Sequence, residues 1–319
     1  MMAKKVDRAL CDRCGMCIRI CANSRVIEAD ADGWPRWARE HQCIQCGHCL
    51  AVCPQGAISF GPETAGMDHP YMAGPLPAAP RPALDGGAVA NLLFGVRSNR
   101  AFDGRAVERG MLERILEAMV RSPSAGNEQN RGFYVFDAKG KVDGLEADAA
   151  AHFRKSSAAM KSPLAVSLYL RAVEKARAKG TFTRNTLLAD MPKKERKEAI
   201  RAMMSDLARR QDAGEISYFN GAPAAIIVTS RTDAGEFHKG FHKADVAIAV
   251  TYGTVMAAGL GLATCWMGLA GIAFGANRSM REKYGIPGNE RVDGILAVGH
   301  SSLRWKQVPP RGPVKAIWM

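Results

Sequence analysis

Residues 11–21, CDRCGMCIRIC, space four cysteines as C-x2-C-x2-C-x3-C, and residues 43–54, CIQCGHCLAVCP, repeat that spacing. Eight of the nine cysteines lie in these two runs. A structural zinc site needs four ligands at one ion, usually two C-x2-C pairs across a longer gap. Three thiolates at two-residue intervals suit a cuboidal cluster better: a short loop wraps three corners and a fourth ligand arrives from elsewhere. This is the spacing of bacterial [4Fe–4S] loops, in which the fourth cysteine serves the other cluster. Two runs therefore predict two clusters with exchanged ligands: Cys11, Cys14, Cys17 and Cys53 for the first, Cys43, Cys46, Cys49 and Cys21 for the second. Pro54 completes the second run, whereas Ala22 stands where proline is common in the first, a change that affects loop stiffness more than ligation. A disulfide framework is the alternative, but its spacing rarely repeats so closely, and no apolar secretory segment follows MMAKKVDRAL.

The repeat, with Gly15 and Gly47 after the second cysteine of each run, resembles a bacterial two-[4Fe–4S] ferredoxin over residues 4–61, which sets a first domain at 1–61. At 319 residues the chain has room for a second domain with its own core. A hydrophobic content of 47% with a mixed charged surface predicts a soluble protein, and intact thiolates predict a reducing, cytoplasmic setting. The net charge of +13 raises nucleic acid or an acidic membrane as partners. The basic residues are scattered, however, and the densest run, MPKKERKEAIRAMMSDLARR (191–210), has apolar residues at helical spacing. An acidic electron carrier or an anionic substrate is the more economical partner for this charge. From Val246 to Asn277 no residue is charged, which exceeds the length of a spanning helix. Glycines 253, 259, 261, 268, 271 and 275 break the run, so a buried helix followed by a short strand is expected, with no membrane span.

Beyond Phe60, GPETAGMDHPYMAGPLPAAPRPALDGG shows no periodicity and reads as an extended connector, residues 62–87. A second domain, 88–319, follows. RAVERGMLERILEAMVRS (105–122) is an amphipathic helix, GFYVFDA a strand, and 145–215 a helical insertion or lid. APAAIIVTS is a buried strand, DVAIAVTYGTVMAAGLG a buried helix and RVDGILAVGHSS another strand. The fold class is α+β, helices packed on a sheet. No G-x-G-x-x-G or G-K-[ST] loop supports a Rossmann or Walker site, and no Ser/His/Asp or Cys/His spacing supports a nucleophile. Cys265, Met256 and Trp266 read as packing residues, and His41 and His48 merely flank cluster ligands.

Three separated segments suit one ligand: RSNRAF (97–102), SPSAGNEQNRGF (122–133) and PPRGP (309–313). Cations beside a serine hydroxyl suit a phosphate, and small polar turn residues suit the hydrogen-bonding edge of a ring system. Their order, with YFNGAPAAIIV, GLGLATCWMG and Gly-Ile-Pro between them, resembles the nitroreductase family of FMN-dependent enzymes. The resemblance covers residues 92–313 apart from the helical insertion, and the ferredoxin-type fusion resembles the family's ferredoxin-linked members. It implies an α/β sandwich of the nitroreductase type and a homodimer with FMN at the subunit interface. By position, Arg97, Ser98 and Arg311 would hold the phosphate and ribityl chain, with Arg100 near the pyrimidine edge. Ser124, Ala125, Asn127 and Gln129 would line the flavin, and Met267, Gly268 and Leu269 would border it. Val96 replaces the first of two basic residues common before the serine, and Asn130 and Arg131 replace the usual Pro and Trp.

Clusters move single electrons, while FMN stores two, and fusion keeps a donor at high effective concentration. The expected function is an FMN reductase without a catalytic side chain. It would take electrons from a low-potential carrier such as a ferredoxin or flavodoxin through two [4Fe–4S] clusters to a small organic acceptor: a nitroaromatic, quinone or enone. Direct reduction by NAD(P)H is the alternative donor. A non-enzymatic electron carrier and a nucleic-acid binder with structural clusters are the alternatives of another class.

Overall fold

Each cysteine run turns into a five-residue helix behind a left-handed glycine, Gly15 at φ 71° and Gly47 at φ 72°. A side chain there is strained by its own backbone, which accounts for glycine at both positions. In the computed structural model, which describes residues 4–21, 26–60, 85–159, 192–233, 236–309 and 312–319 with scattered positions between 160 and 191, these helices are the centre of a small N-terminal unit. It comprises β1 (Lys4–Val6), α1 (Met16–Ile20), β2 (Ile27–Ala29), β3 (Pro35–Trp37), α2 (His48–Val52) and β4 (Ile58–Phe60). Strands β1 and β4 pair antiparallel, Val6 opposite Ile58, and β2 pairs with β3, Ile27 opposite Trp37. Cys17, Val26, Ile27, Cys49 and Ile58 form the unit's buried core.

The rest of the described chain contains α3 (Gly86–Gly95), α4 (Arg109–Arg121), β5 (Arg131–Phe136), α5 (Lys139–Ala159), α6 (Lys193–Asp212), β6 (Ala224–Arg231), α7 (Glu236–Gly259), β7 (Ala263–Trp266), α8 (Gly268–Ala276), α9 (Arg278–Lys283) and β8 (Glu290–Gly299). The sheet is antiparallel, in the order β5-β6-β8-β7. AAIIV (224–228) is apolar at successive positions because both faces of β6 are covered. Ala225 and Ile227 point with Ile295 and Ala297 into one core, beside Leu145 and Phe153 of α5 and Phe274 of α8. Ala224, Ile226 and Val228 point with Leu296 and Val298 into the other, beside Leu112, Ile115 and Met119 of α4 and Val246, Ala249 and Val250 of α7. Alternation on a strand puts neighbours on opposite faces, so a three-layer sandwich demands an unbroken apolar run. Burying a leucine or isoleucine such as Leu145 or Ile115 in this way contributes about 1.5–3 kcal/mol. Helices α4 and α7 approach closely at Gly253, where a Cβ would lie 2.4 Å from Met119 Cε.

Three expectations change. The connector reaches only to Asp85, whose side chain accepts the Gly87 N–H at 3.2 Å and caps α3 inside the segment read as linker. Residues 145–153 are core, not lid, because Leu145, Ala149, Ala150 and Phe153 pack under the sheet. The uncharged helix is only partly covered: Ile248, Tyr252 and Met256, four residues apart, are exposed on α7. No helix among the described residues is long and apolar enough to cross a membrane. Ala22, most of the 62–87 connector, most of 160–191 and Arg311 lie outside the described residues.

Candidate functional site

Cys17 and Cys49 sit in the first turn of α1 and α2, and Cys21 and Cys53 cap the ends of those helices. Each helix therefore carries its last cysteine away from its own loop. Cys11, Cys14, Cys17 and Cys53 line one cavity, together with Pro35, Ala57 and Ile58. Cys43, Cys46, Cys49 and Cys21 line a second, with Val26, Ile27 and Trp37. None of the nine cysteines, all of them among the described residues, is joined in a disulfide. The sulfurs of each set surround a space, an arrangement that the ligands of a polynuclear cluster fit.

The surroundings fit such a group. The Trp37 indole N–H is buried without a partner among the described residues, on a side chain that lines the second cavity, and it is a donor suited to sulfide. The Ala57 N–H donates to Cys53 Sγ at 3.3 Å. Burial pushes the Cys17 thiol up and the Cys49 thiol up to about 11. Iron binding must therefore displace these protons, which couples loading to deprotonation.

The flavin candidates fall into two groups. RSNRAF runs beside β7: Ser98 bridges Thr264 in parallel, the Asn99 N–H donates to the Thr264 carbonyl at 2.8 Å, and Phe102 bridges Ser301. The Arg100 charge counters the burial that pushes the Cys265 thiol up, so Arg100 lies near β7. Ser98 and Arg100 are exposed, Arg97 is half-buried with its guanidinium on the Val96 carbonyl, and Asn99 Nδ2 is buried without a partner among the described residues. Met267, buried, follows β7 directly and precedes α8, while Gly268 and Leu269 are exposed. Cations and a hydroxyl on one accessible edge, with an unsatisfied donor buried behind them, fit a phosphate-bearing ligand.

The other group sits at the opposite corner. Ser124, Ala125, Asn127 and Gln129 form a turn leading into β5, with Asn127 at φ 55° and Gln129 at φ 48°. The Gln129 N–H donates to Ser124 Oγ at 3.0 Å and the Ala125 N–H to Asp245 Oδ1 at 3.1 Å. Ser98 and this turn lie on opposite edges, four inter-strand steps apart, or roughly 19 Å. They also lie at opposite ends: Ser98 is level with Val298 and Arg131 with Arg291. A single chain thus brings 97–100 together with 267–269 but leaves 124–129 apart from both.

Two residues that support the turn, Asp245 and His242, escaped the sequence reading, and a third, Arg131, was read only as a departure from the family pattern. Arg131 is buried, its guanidinium on Ser122 Oγ and, at 3.3 Å, on the Ser122 carbonyl; burial lowers its pKa. Asp245, 4% exposed, offers Oδ1 to Ala125 and leaves Oδ2 without a partner among the described residues. His242, also buried, meets Glu128 at 3.2 Å and Asn130 at 3.1 Å through Nε2. His242 and Asp245, three apart on α7, are the polar face of a stretch whose apolar residues drew the attention. Asn127 itself turns to the N-terminal unit: its Nδ2 donates to the carbonyls of Ile44 at 3.2 Å and Gln45 at 3.1 Å.

The nitroreductase family model matches residues 95–300, and a 4Fe-4S dicluster domain model matches residues 10–58. Among solved structures, an FMN-bound nitroreductase of Bacteroides fragilis is 19% identical with a TM-score of 0.47, covering 72% of this chain and 98% of its own. An FMN-bound nitroreductase of Desulfitobacterium hafniense is 20% identical with a TM-score of 0.48, covering 72% and 96%. Ferredoxin-type protein NapH of Haemophilus influenzae is 30% identical over 69 residues, 21% of this chain, and the match spans 23% of that protein. With the family model spanning the sheet, both helical layers and every described flavin candidate, the chain belongs to the nitroreductase family of oxidoreductases, behind a 4Fe–4S dicluster domain.

Proposed function

We propose that the chain is an FMN-dependent reductase that draws electrons from a low-potential, one-electron carrier through two [4Fe–4S] clusters and passes them to a small organic acceptor. The observation that carries this reading is the pair of cavities, each lined by three cysteines of one run and the last of the other, on a chain of this family. Bound clusters supply single-electron transfer, and bound FMN supplies two-electron storage and hydride delivery. Two carrier molecules are oxidised for each acceptor reduced by two electrons, with protons taken from solvent.

The chain's residues hold and orient. Arg97 and Arg311 give charge to the phosphate, Ser98 a hydroxyl, and Arg100 a cation toward the ring edge. Met267, Gly268 and Leu269 border the ring, and Ser124, Ala125, Asn127 and Gln129 line it. Because 97–100 and 124–129 occupy opposite corners of one sheet, a homodimer in which each chain lends its turn to the other's phosphate segment is the arrangement that closes the site. Exposed Ile248, Tyr252 and Met256 on α7, with Val89, Leu93 and Phe94 on α3, offer it an apolar face. The acceptor is a nitroaromatic, quinone or enone, and the compartment is the cytoplasm.

Anaerobically purified protein should carry eight cluster iron atoms and one FMN per chain. Arg97→Ala should weaken FMN retention, since a charge-assisted phosphate bond is worth roughly 1.5–3 kcal/mol. Unchanged FMN affinity, or zinc in place of iron, overturns the assignment.

A further inference from the structure

We infer that the second cysteine run is the electron exit of the N-terminal unit, held against the flavin turn of its own chain by Asn127 as a positioning residue. The inference rests on the electron route just proposed. Ile44 and Gln45, whose carbonyls accept both Asn127 Nδ2 hydrogen bonds, are among the residues between Cys43 and Cys46. A cluster held by those thiolates is thereby fixed to the turn that carries Ser124, Ala125 and Gln129. The clamp is built from both sides. Gln45 sits at φ 54° and Asn127 at φ 55°, so each contact segment turns through a left-handed residue. Asn127 is further braced by Gln129 Nε2 on its Oδ1 at 3.4 Å and by its own N–H on the Ser124 carbonyl at 3.0 Å. Asp245, through Ala125, ties the same turn to α7.

The first run has the same spacing and a different set of bonds. Arg13, the residue equivalent to Gln45, also lies in the left-handed region at φ 58°, but its guanidinium donates to the Asp32 carbonyl at 3.1 Å. Asp12 accepts the Cys14 N–H at 3.1 Å and Gln55 Nε2 at 3.4 Å. These partners all belong to the N-terminal unit, so the first loop is bonded inward while the second is bonded across. Electrons that enter at the first cluster therefore leave by the second. Each transfer oxidises one reduced cluster by one electron, and two transfers with one proton from solvent reduce one FMN.

The test separates the clamp from the route. Asn127→Asp keeps shape and tolerance of positive φ but sets a carboxylate against two carbonyl oxygens, while Asn127→Gly keeps the backbone and removes the amide. In cluster-loaded, flavin-free protein, hydrogen exchange over residues 43–47 should accelerate about tenfold for Asn127→Gly and further for Asn127→Asp, as loss of two hydrogen bonds shifts the docked population. Iron content should stay unchanged. In the FMN-loaded protein, pulse reduction with a viologen radical should show the cluster bleach intact and its transfer to flavin slowed in the same order. Unchanged exchange over 43–47 in both variants overturns the clamp. Faster exchange with unchanged cluster-to-flavin transfer overturns the exit. If a cluster-free Cys21→Ala, Cys53→Ala protein still reduces its flavin from ferredoxin at full rate, the parent route fails instead.

Discussion

The two cysteine loops share a backbone and differ in what they face. Both place a glycine at φ 71–72° before a five-residue helix, bury the third cysteine, and end the helix on the fourth. Two cations flank the first loop, the guanidinium groups of Arg8 and Arg13 each lying 5.3 Å from the Trp34 ring centre. The second offers bare carbonyls to Asn127. Cluster ligation fixes the cysteines and glycines and leaves the residues between them free. Those intervening positions can therefore give an internally repeated unit a direction.

Loss of one fourth ligand should break the symmetry most sharply. Cys21→Ala, which takes a thiolate from the second cavity, should nearly abolish flavin reduction by ferredoxin. Cys53→Ala, which takes one from the first, should leave partial reduction, because a donor can still reach the second cluster. Stopped-flow flavin bleaching reads both, and equal losses would erase the directional difference. The glycines test the similarity instead. Gly15→Ala and Gly47→Ala each force alanine to positive φ with no atom within 4 Å of the new Cβ, so each should cost about 1–2 kcal/mol from backbone alone. Matched drops in thermal midpoint support equivalent loops; a larger drop at Gly47 would mean that docking depends on its backbone. The smallest effect concerns entry. Arg8→Ala with Arg13→Ala should slow reduction by an acidic carrier a few-fold at low salt and leave reduction by a cationic viologen unchanged, because exposed charges steer encounter and are screened. A salt-independent response would remove the first loop as a docking face.

The sequence exposed whatever is encoded locally. Cysteine spacing marked both cavities, and the unbroken apolar run AAIIV marked a strand covered on both faces. Sheet order was not legible, because β6 pairs with β5 and β8 through contacts that no local pattern records. Helix α3 was hidden by Gly86 and Gly87, which read as linker until the Asp85 cap is seen. The segments 97–100 and 124–129 looked like one site in the sequence, and only the strand order shows them at opposite corners. Asp245 and His242 were missed because a polar pair at helical spacing beside an apolar run looks like an ordinary helix start. Asn127 was read as a flavin contact from its place in a motif; that its amide also bonds the carbonyls of Ile44 and Gln45 is a contact between units that no local pattern records.

The pairing of β1 with β4 has an architectural consequence. Lys4 lies opposite Phe60, so the N-terminal unit closes on itself and the chain leaves it beside the strand where it began. A module with adjoining ends behaves as a cassette: it can be gained, lost or exchanged in front of a flavin domain without rethreading either core. What cannot be exchanged so freely is its orientation, toward which Asn127 contributes two hydrogen bonds.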